Sequence, residues 1–208
     1  IGQVFSEVER RKPAASFGLV GLGTGTVASF VRPSDTMRIF EIDPLVVRLA
    51  RDPRKFGYLS NCAKGHLAIV IGDARQSLQR EPPGQFDLLL VDAFSSDSIP
   101  THLLTTEAMR LYLKAIKPDG LVLLHLSNRN LALTGPAAAA LAAAGGILPL
   151  HPVFVDGDGA LFLPGPQRWR LPDLWRPGIR SAREHLRYRA GRRNQQRQLR
   201  QLRMRCGL

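Results

Sequence analysis

Cysteine is nearly absent: Cys62 and Cys206 are the only two in 208 residues. They lie far apart and in no metal-ligand spacing. That excludes a disulfide-dense framework, and free thiols of a reducing compartment are the expectation. The histidines, His66, His102, His125, His151 and His185, share no metal spacing either. They are expected at loops and strand ends, and no metal is expected. Ser95 and Ser96 lack the strand–turn–helix setting of a nucleophile elbow, which argues against hydrolase chemistry. A basic leader is missing too, because the start, Ile1 to Glu7, carries an acid where one would lie. No signal peptide is therefore expected, and a cytoplasmic location is. The first residue is Ile rather than Met, as in a fragment or a processed form.

Long unbroken apolar runs are also lacking. The most apolar stretch, Leu131 to Leu150, contains Gly135, Pro136, Gly145, Gly146 and Pro149. A buried Ala-rich helix that starts at Pro136 and stops at Gly145 suits it better than a membrane span, which needs about 20 apolar residues. No internal repeat is visible.

Charge is not spread evenly. Residues 1–165 hold 16 Lys and Arg against 15 Asp and Glu, a net of +1. Residues 166–208 hold 13 Arg against Asp173 and Glu184, so +11 of the overall +12 belongs to a tail. The chain divides into an electrically ordinary body, 1–165, and an Arg-rich tail, 166–208. Within the tail, Gln167 to Ile179 reads as irregular, and Ser181 to Arg205 as a polar helix or a disordered run. Its charge could hold nucleic acid or an anionic membrane. A solvated extension or a changed reading frame are the favoured alternatives.

What the body does contain is a strand–helix alternation. Phe17 to Leu22, Met37 to Ile42, Leu67 to Ile71, Phe86 to Val91 and Gly120 to Leu126 are continuous apolar runs. Such runs suit strands buried on both faces, as a parallel sheet requires. Between them, Pro44 to Arg51, Ala74 to Arg80 and Thr105 to Ile116 read as helices, with Asp73 and Thr105 as N-caps. Leu45, Val46 and Leu49 are expected on one side of the first of these helices. Lys117-Pro118-Asp119-Gly120 is a helix stop, and Ile147 to Val155 with Ala160 to Leu163 reads as an antiparallel edge hairpin. The repetition gives an α/β fold with an open, mostly parallel sheet, whose ligands bind beyond the carboxyl ends of the strands.

At those ends the sequence concentrates its chemistry. The first strand runs into Gly21-Leu22-Gly23-Thr24-Gly25, and Thr26-Val27-Ala28 then opens a helix. Glycines let a ligand approach the backbone, and a helix start offers free N–H groups. Dinucleotide loops place the third glycine one position later, so NAD is disfavoured; a purely structural turn is the alternative. Glu41 can accept both hydroxyls of a ribose, or be a solvated strand end. Asp43 is better read as the cap of the Pro44 helix. Asp73 can accept from an adenine amino group, cap its own helix, or do both. Asp92 ends the fourth run, where the apolar sequence before it forces its carboxylate to the sheet edge.

The set Gly21 to Gly25, Glu41-Ile42-Asp43, Gly72-Asp73-Ala74 and Phe86 to Asp92 resembles the spermidine synthase (polyamine aminopropyltransferase) family over about residues 2–130. The likeness is greatest to the branch often fused to membrane transporters, to which the run Asp92 to Pro100 is similar. The resemblance implies the class I S-adenosylmethionine-dependent methyltransferase (Rossmann-like) fold, doubly wound. It implies that Gly21, Gly23 and Gly25 form the cofactor loop, that Glu41 holds the ribose, and that Asp73 and Ala74 hold the adenine. Asp92 is implied as the general base, and Asp92 with Asp97 as anchors for a cationic polyamine or other amine acceptor. The implied cofactor is decarboxylated S-adenosylmethionine or S-adenosylmethionine, and a homodimer is a possible assembly. Three departures stand out. The family's glycine loop carries Asp where this chain has Thr24, and its two later acids are closer together than Asp92 and Asp97. Its N-terminal β-domain would need more than the fifteen or so residues that precede the first run. An S-adenosylmethionine methyltransferase and a non-catalytic domain are the other readings.

Overall fold

The apolar runs of the body become the strands of one sheet. The structure, a computed structural model, describes residues 1–93, 99–126, 133–145, 160–164 and 206. The strands are β1 (Ser16–Val20), β2 (Thr36–Glu41), β3 (His66–Ile71), β4 (Phe86–Val91), β5 (Ile116–His125) and β6 (Ala160–Pro164). Their order is β3-β2-β1-β4-β5-β6. The first five are parallel and β6 joins β5 antiparallel. The sheet is thus open and mostly parallel. Of the expected edge hairpin only β6 is described, and it pairs with β5; residues 147–155 lie outside the described residues.

Side chains alternate between two apolar layers. Leu19, Leu88, Leu90, Leu121 and Leu123 pack on one face with α1 (Gly2–Arg11) and α2 (Pro44–Arg51). Val20, Leu89, Val91, Val122 and Leu124 pack on the other with α4 (Thr106–Ala115) and α5 (Thr134–Ala143), and α3 (Ala74–Gln79) adds Leu78 there. Central β4 is buried along its whole length, which is why it reads as a run without alternation. Each leucine there contributes about 2 kcal/mol of burial.

Several elements differ from expectation. Helix α1 was not legible as a helix, although Val4, Phe5 and Val8 form its buried stripe and the Phe5 ring lies 4.7 Å from that of Phe17. The helix expected from Thr26 is a single 3₁₀ turn, Thr26–Phe30. Ten residues separate Gly25 from β2. An α-helix rises only about 1.5 Å per residue and would not span the return path in that length. In α2 the buried residues are Val47 and Ala50 and Val46 packs half-buried against the core, while Leu45 and Leu49 are exposed, so the buried face is rotated from the Leu45–Val46–Leu49 side. Helix α5 begins at Thr134, two residues before Pro136, and is ten residues long. No helix among the described residues is long and apolar enough to cross a membrane. Strand β5 starts at Ile116, so the Lys117 to Gly120 run lies inside it, where the register with β4 shifts. Gly120 is needed there, because a Cβ would lie 2.8 Å from the Phe86 carbonyl oxygen.

The thiol expectation is overturned: Cys62 and Cys206 form a disulfide, with Cα atoms 4.3 Å apart across 144 residues of sequence. Spacing along a chain says nothing about contacts at that separation, which only folding creates.

At the amino-terminal end of the strands two buried acids organise the turns. Asp35 accepts from the N–H groups of Ala15 (2.8 Å) and Arg32 (2.9 Å), and from the Arg32 guanidinium at 2.8 Å and 2.9 Å. Burial alone would push its carboxyl up. The Arg32 guanidinium and the two N–H groups outweigh that and hold it below the usual value. Asp87, inside β4, accepts from the Ser16 N–H at 2.8 Å and from Lys117 Nζ at 2.7 Å. Lys12 Nζ lies 3.4 Å from its other oxygen and 2.6 Å from Asp119. Hydrogen bonding to Asp119 raises the Lys12 ammonium above its ordinary value and offsets the cost of its partial burial.

Candidate active site

The opposite, carboxyl-terminal edge gathers the sequence's candidate residues. The strand order reverses between β1 and β4, so the loop after β1 and Asp92 after β4 flank the crevice where such sheets bind ligands. The ladder continues one step past each strand. The N–H of Gly21 donates to Phe40 O (2.9 Å), that of Gly72 to Glu41 O (2.9 Å), and that of Asp92 to Val20 O (2.8 Å). Four strand ends are therefore held level before any side chain is considered.

Gly21, Gly23 and Gly25 all have positive φ, at 92°, 53° and 86°. Two of them show different requirements. At Gly21 a Cβ would lie 2.4 Å from the Asp92 carbonyl oxygen, so the glycine loop and the Asp92 strand end can meet only there without a side chain. At Gly23 a Cβ would meet nothing within 4 Å, so this position faces open space. Thr24 is exposed, and its hydroxyl lies 2.8 Å from that of Thr26.

Glu41 is not a solvated strand end. It is 7% exposed, and its two oxygens accept from the N–H groups of Leu22 (2.8 Å) and Asp43 (2.9 Å). The carboxylate thus ties the glycine loop to the end of β2. Each oxygen keeps one further acceptor position. Asp43 accepts from the Leu45 N–H at 2.7 Å and caps α2, as its spacing implied. Asp73 caps α3 by accepting from Gln76 N–H at 2.9 Å. Its second oxygen lies 3.8 Å from His102 Nε2, and Arg75 holds the His102 carbonyl at 3.1 Å. Ala74 packs into the second apolar layer beside Asp73.

Asp92 has a partner that spacing did not reveal. His125, at the end of β5, places Nδ1 2.6 Å from Asp92 Oδ1, with both side chains roughly a quarter exposed. His125 was expected only as a strand-end residue. Only the folded sheet reveals the pair: Val91 pairs with Leu124, so the next residues on each strand are neighbours. Asp97, Ser95, Ser96, Ser127, Asn128 and the tail apart from Cys206 lie outside the described residues. The structure therefore brings the glycine loop, Glu41, Asp73, Ala74 and Asp92 to one edge.

No family model matches the chain. A polyamine aminopropyltransferase of Vibrio vulnificus (strain CMCP6) is 36% identical over 94 residues, which are 43% of this chain and 30% of that protein. Among solved structures, human methyltransferase-like protein 13 in complex with SAH superposes with a TM-score of 0.61 at 19% identity. That match covers 83% of this chain and 84% of the human one. Spermidine synthase from Thermotoga maritima superposes at 0.56 with 18% identity, covering 76% of this chain and 56% of that one. The chain thus spans less than a third of the curated relative and about half of the bacterial synthase. These likenesses establish the class I S-adenosylmethionine-dependent methyltransferase fold, shared with spermidine synthases.

Proposed function

We propose that this chain is a transferase that binds an S-adenosyl nucleoside at the carboxyl edge of its sheet and carries a group from it to an amine, the aminopropyl group being favoured. The observation that carries the reading is the buried Glu41 carboxylate bridging the glycine loop and the β2 end beside the open Gly23 position. A ribose diol needs two acceptor positions close together next to backbone that a ligand can approach, and Glu41 and Gly23 supply both. Asp73 and Ala74 would hold the adenine, with Asp73 capping α3 at the same time. The matched stretch of the aminopropyltransferase relative supports the aminopropyl reading.

When bound, the cofactor supplies a carbon made electrophilic by a neighbouring sulfonium. This chain's contribution is to take up a proton. An amine is protonated at neutral pH and has no lone pair to attack with, so a carboxylate that draws in the cation and accepts one proton serves both needs. Asp92 fills that role. The amine nitrogen bonds to carbon as the carbon–sulfur bond breaks, the electron pair stays on sulfur as a neutral thioether, and the proton passes to Asp92. Asp97 would be a second anchor for a polyamine cation.

A methyltransferase is the second reading, favoured by Thr24, whose hydroxyl pairs with Thr26 where a carboxylate would mark the decarboxylated cofactor. Calorimetric titration with decarboxylated S-adenosylmethionine, S-adenosylmethionine and methylthioadenosine separates the two. The decarboxylated form is expected to bind more tightly than the intact one. The reverse order favours methyl transfer, and no binding of any of the three at millimolar concentration rules out both.

A further inference from the structure

Among the described residues, the side-chain partner of the carboxylate assigned to proton transfer is an imidazole rather than a lysine or arginine. β4 and β5 are parallel and in register at Val91 and Leu124, so Asp92 and His125 stand side by side one step further on. Register neighbours in a sheet project to the same face, which is what lets the two side chains meet. Both backbones are fixed. The Asp92 N–H bonds Val20 and its carbonyl abuts Gly21, while His125 pairs across to Ala160 of β6. The remaining freedom of Asp92 lies in its own side-chain torsions, and the 2.6 Å contact with His125 Nδ1 restrains them. A carboxylate only accepts, so the imidazole donates from Nδ1–H. Oδ2 is the Asp92 oxygen outside that bond.

We propose that His125 is a positioning residue for proton transfer: its Nδ1–H fixes the Asp92 carboxylate so that the other oxygen takes the proton of the acceptor amine. This rests on the transferase reading above. Positional errors of about 1 Å at a reacting group cost about 100-fold in rate. With decarboxylated S-adenosylmethionine and putrescine as probes on the full chain, His125→Ala should lower kcat about 100-fold and leave the KM for the nucleoside within about twofold. His125→Asn places an amide N–H where Nδ1–H sits and should return kcat to within about tenfold of wild type. His125→Gln, whose amide reaches toward the Nε2 position, should not.

A side-chain nitrogen spectrum decides the pairing without any turnover. The wild type should show the Nδ1–H tautomer of His125, and Asp92→Ala should lose it. An Nε2–H tautomer in the wild type, or a His125→Ala rate within threefold of wild type, overturns the assignment. So does a His125→Ala effect that the Asn variant fails to recover. Failure of the wild type to bind decarboxylated S-adenosylmethionine, S-adenosylmethionine or methylthioadenosine overturns this assignment together with the transferase reading, and is told apart because it is seen before any substitution is made.

Discussion

The two edges of the sheet spend their acids differently. At the amino edge, Asp35 and Asp87 are almost wholly buried and each is bonded to a cation of this chain, Arg32 and Lys117 respectively. At the carboxyl edge, the hydrogen bonds and ion pairs of Glu41, Asp73 and Asp92 among the described residues come from backbone N–H groups and imidazoles. Buried carboxylates that meet lysine or arginine have their charge consumed within the fold. Carboxylates held by backbone N–H groups and imidazoles are oriented without lysine or arginine. The first arrangement builds turns, and the second suits a cationic partner from outside.

Substitutions at the two edges should therefore separate function from stability. Asp92→Asn has the largest expected effect, a loss of about 1,000-fold in turnover with nucleoside affinity and melting temperature little changed. Kinetics beside calorimetry checks it, and equal loss of rate and affinity would sink the assigned role. Next is Asp35→Asn, expected to cost about 3 kcal/mol of stability because it leaves Arg32 without its carboxylate, with nucleoside affinity unchanged. The pH dependence has a definite sign. A carboxyl held below its ordinary value stabilises the fold above about pH 4, and that contribution is lost as the pH falls through the depressed value. Urea unfolding of wild type and variant should differ at neutral pH and converge in strong acid. A constant gap across the range would mean the asparagine acts through packing. The smallest effect is expected for Thr24→Asp, which should favour the decarboxylated cofactor over the intact one by about tenfold through one added charge-assisted bond. An unchanged ratio would place the loop away from the cofactor's amino end.

How much of the site was legible follows the range of each interaction. Asp43, Asp73 and Thr105 were readable as caps because a cap bonds a backbone N–H two or three residues on. Glu41 was readable as a strand-end acid, whereas its bond from the Leu22 N–H joins residues nineteen apart that the β1–β2 pairing brings close. The rotated face of α2 was missed because, over eight residues, apolar spacing admits two faces and contact with the sheet chooses between them.

By itself, the sequence determined the alternation of buried strands and capped helices, the glycine loop with its positive-φ positions, and the acids that end the strands. Each of these depends on residues close together in the chain, and local chemistry decides them. Tertiary structure alone decided that Cys62 meets Cys206, that Asp87 meets Lys117, and that Asp92 meets His125. Those pairs are separated by 30 residues or more, and they meet only once parallel strands are in register and the chain has closed around them.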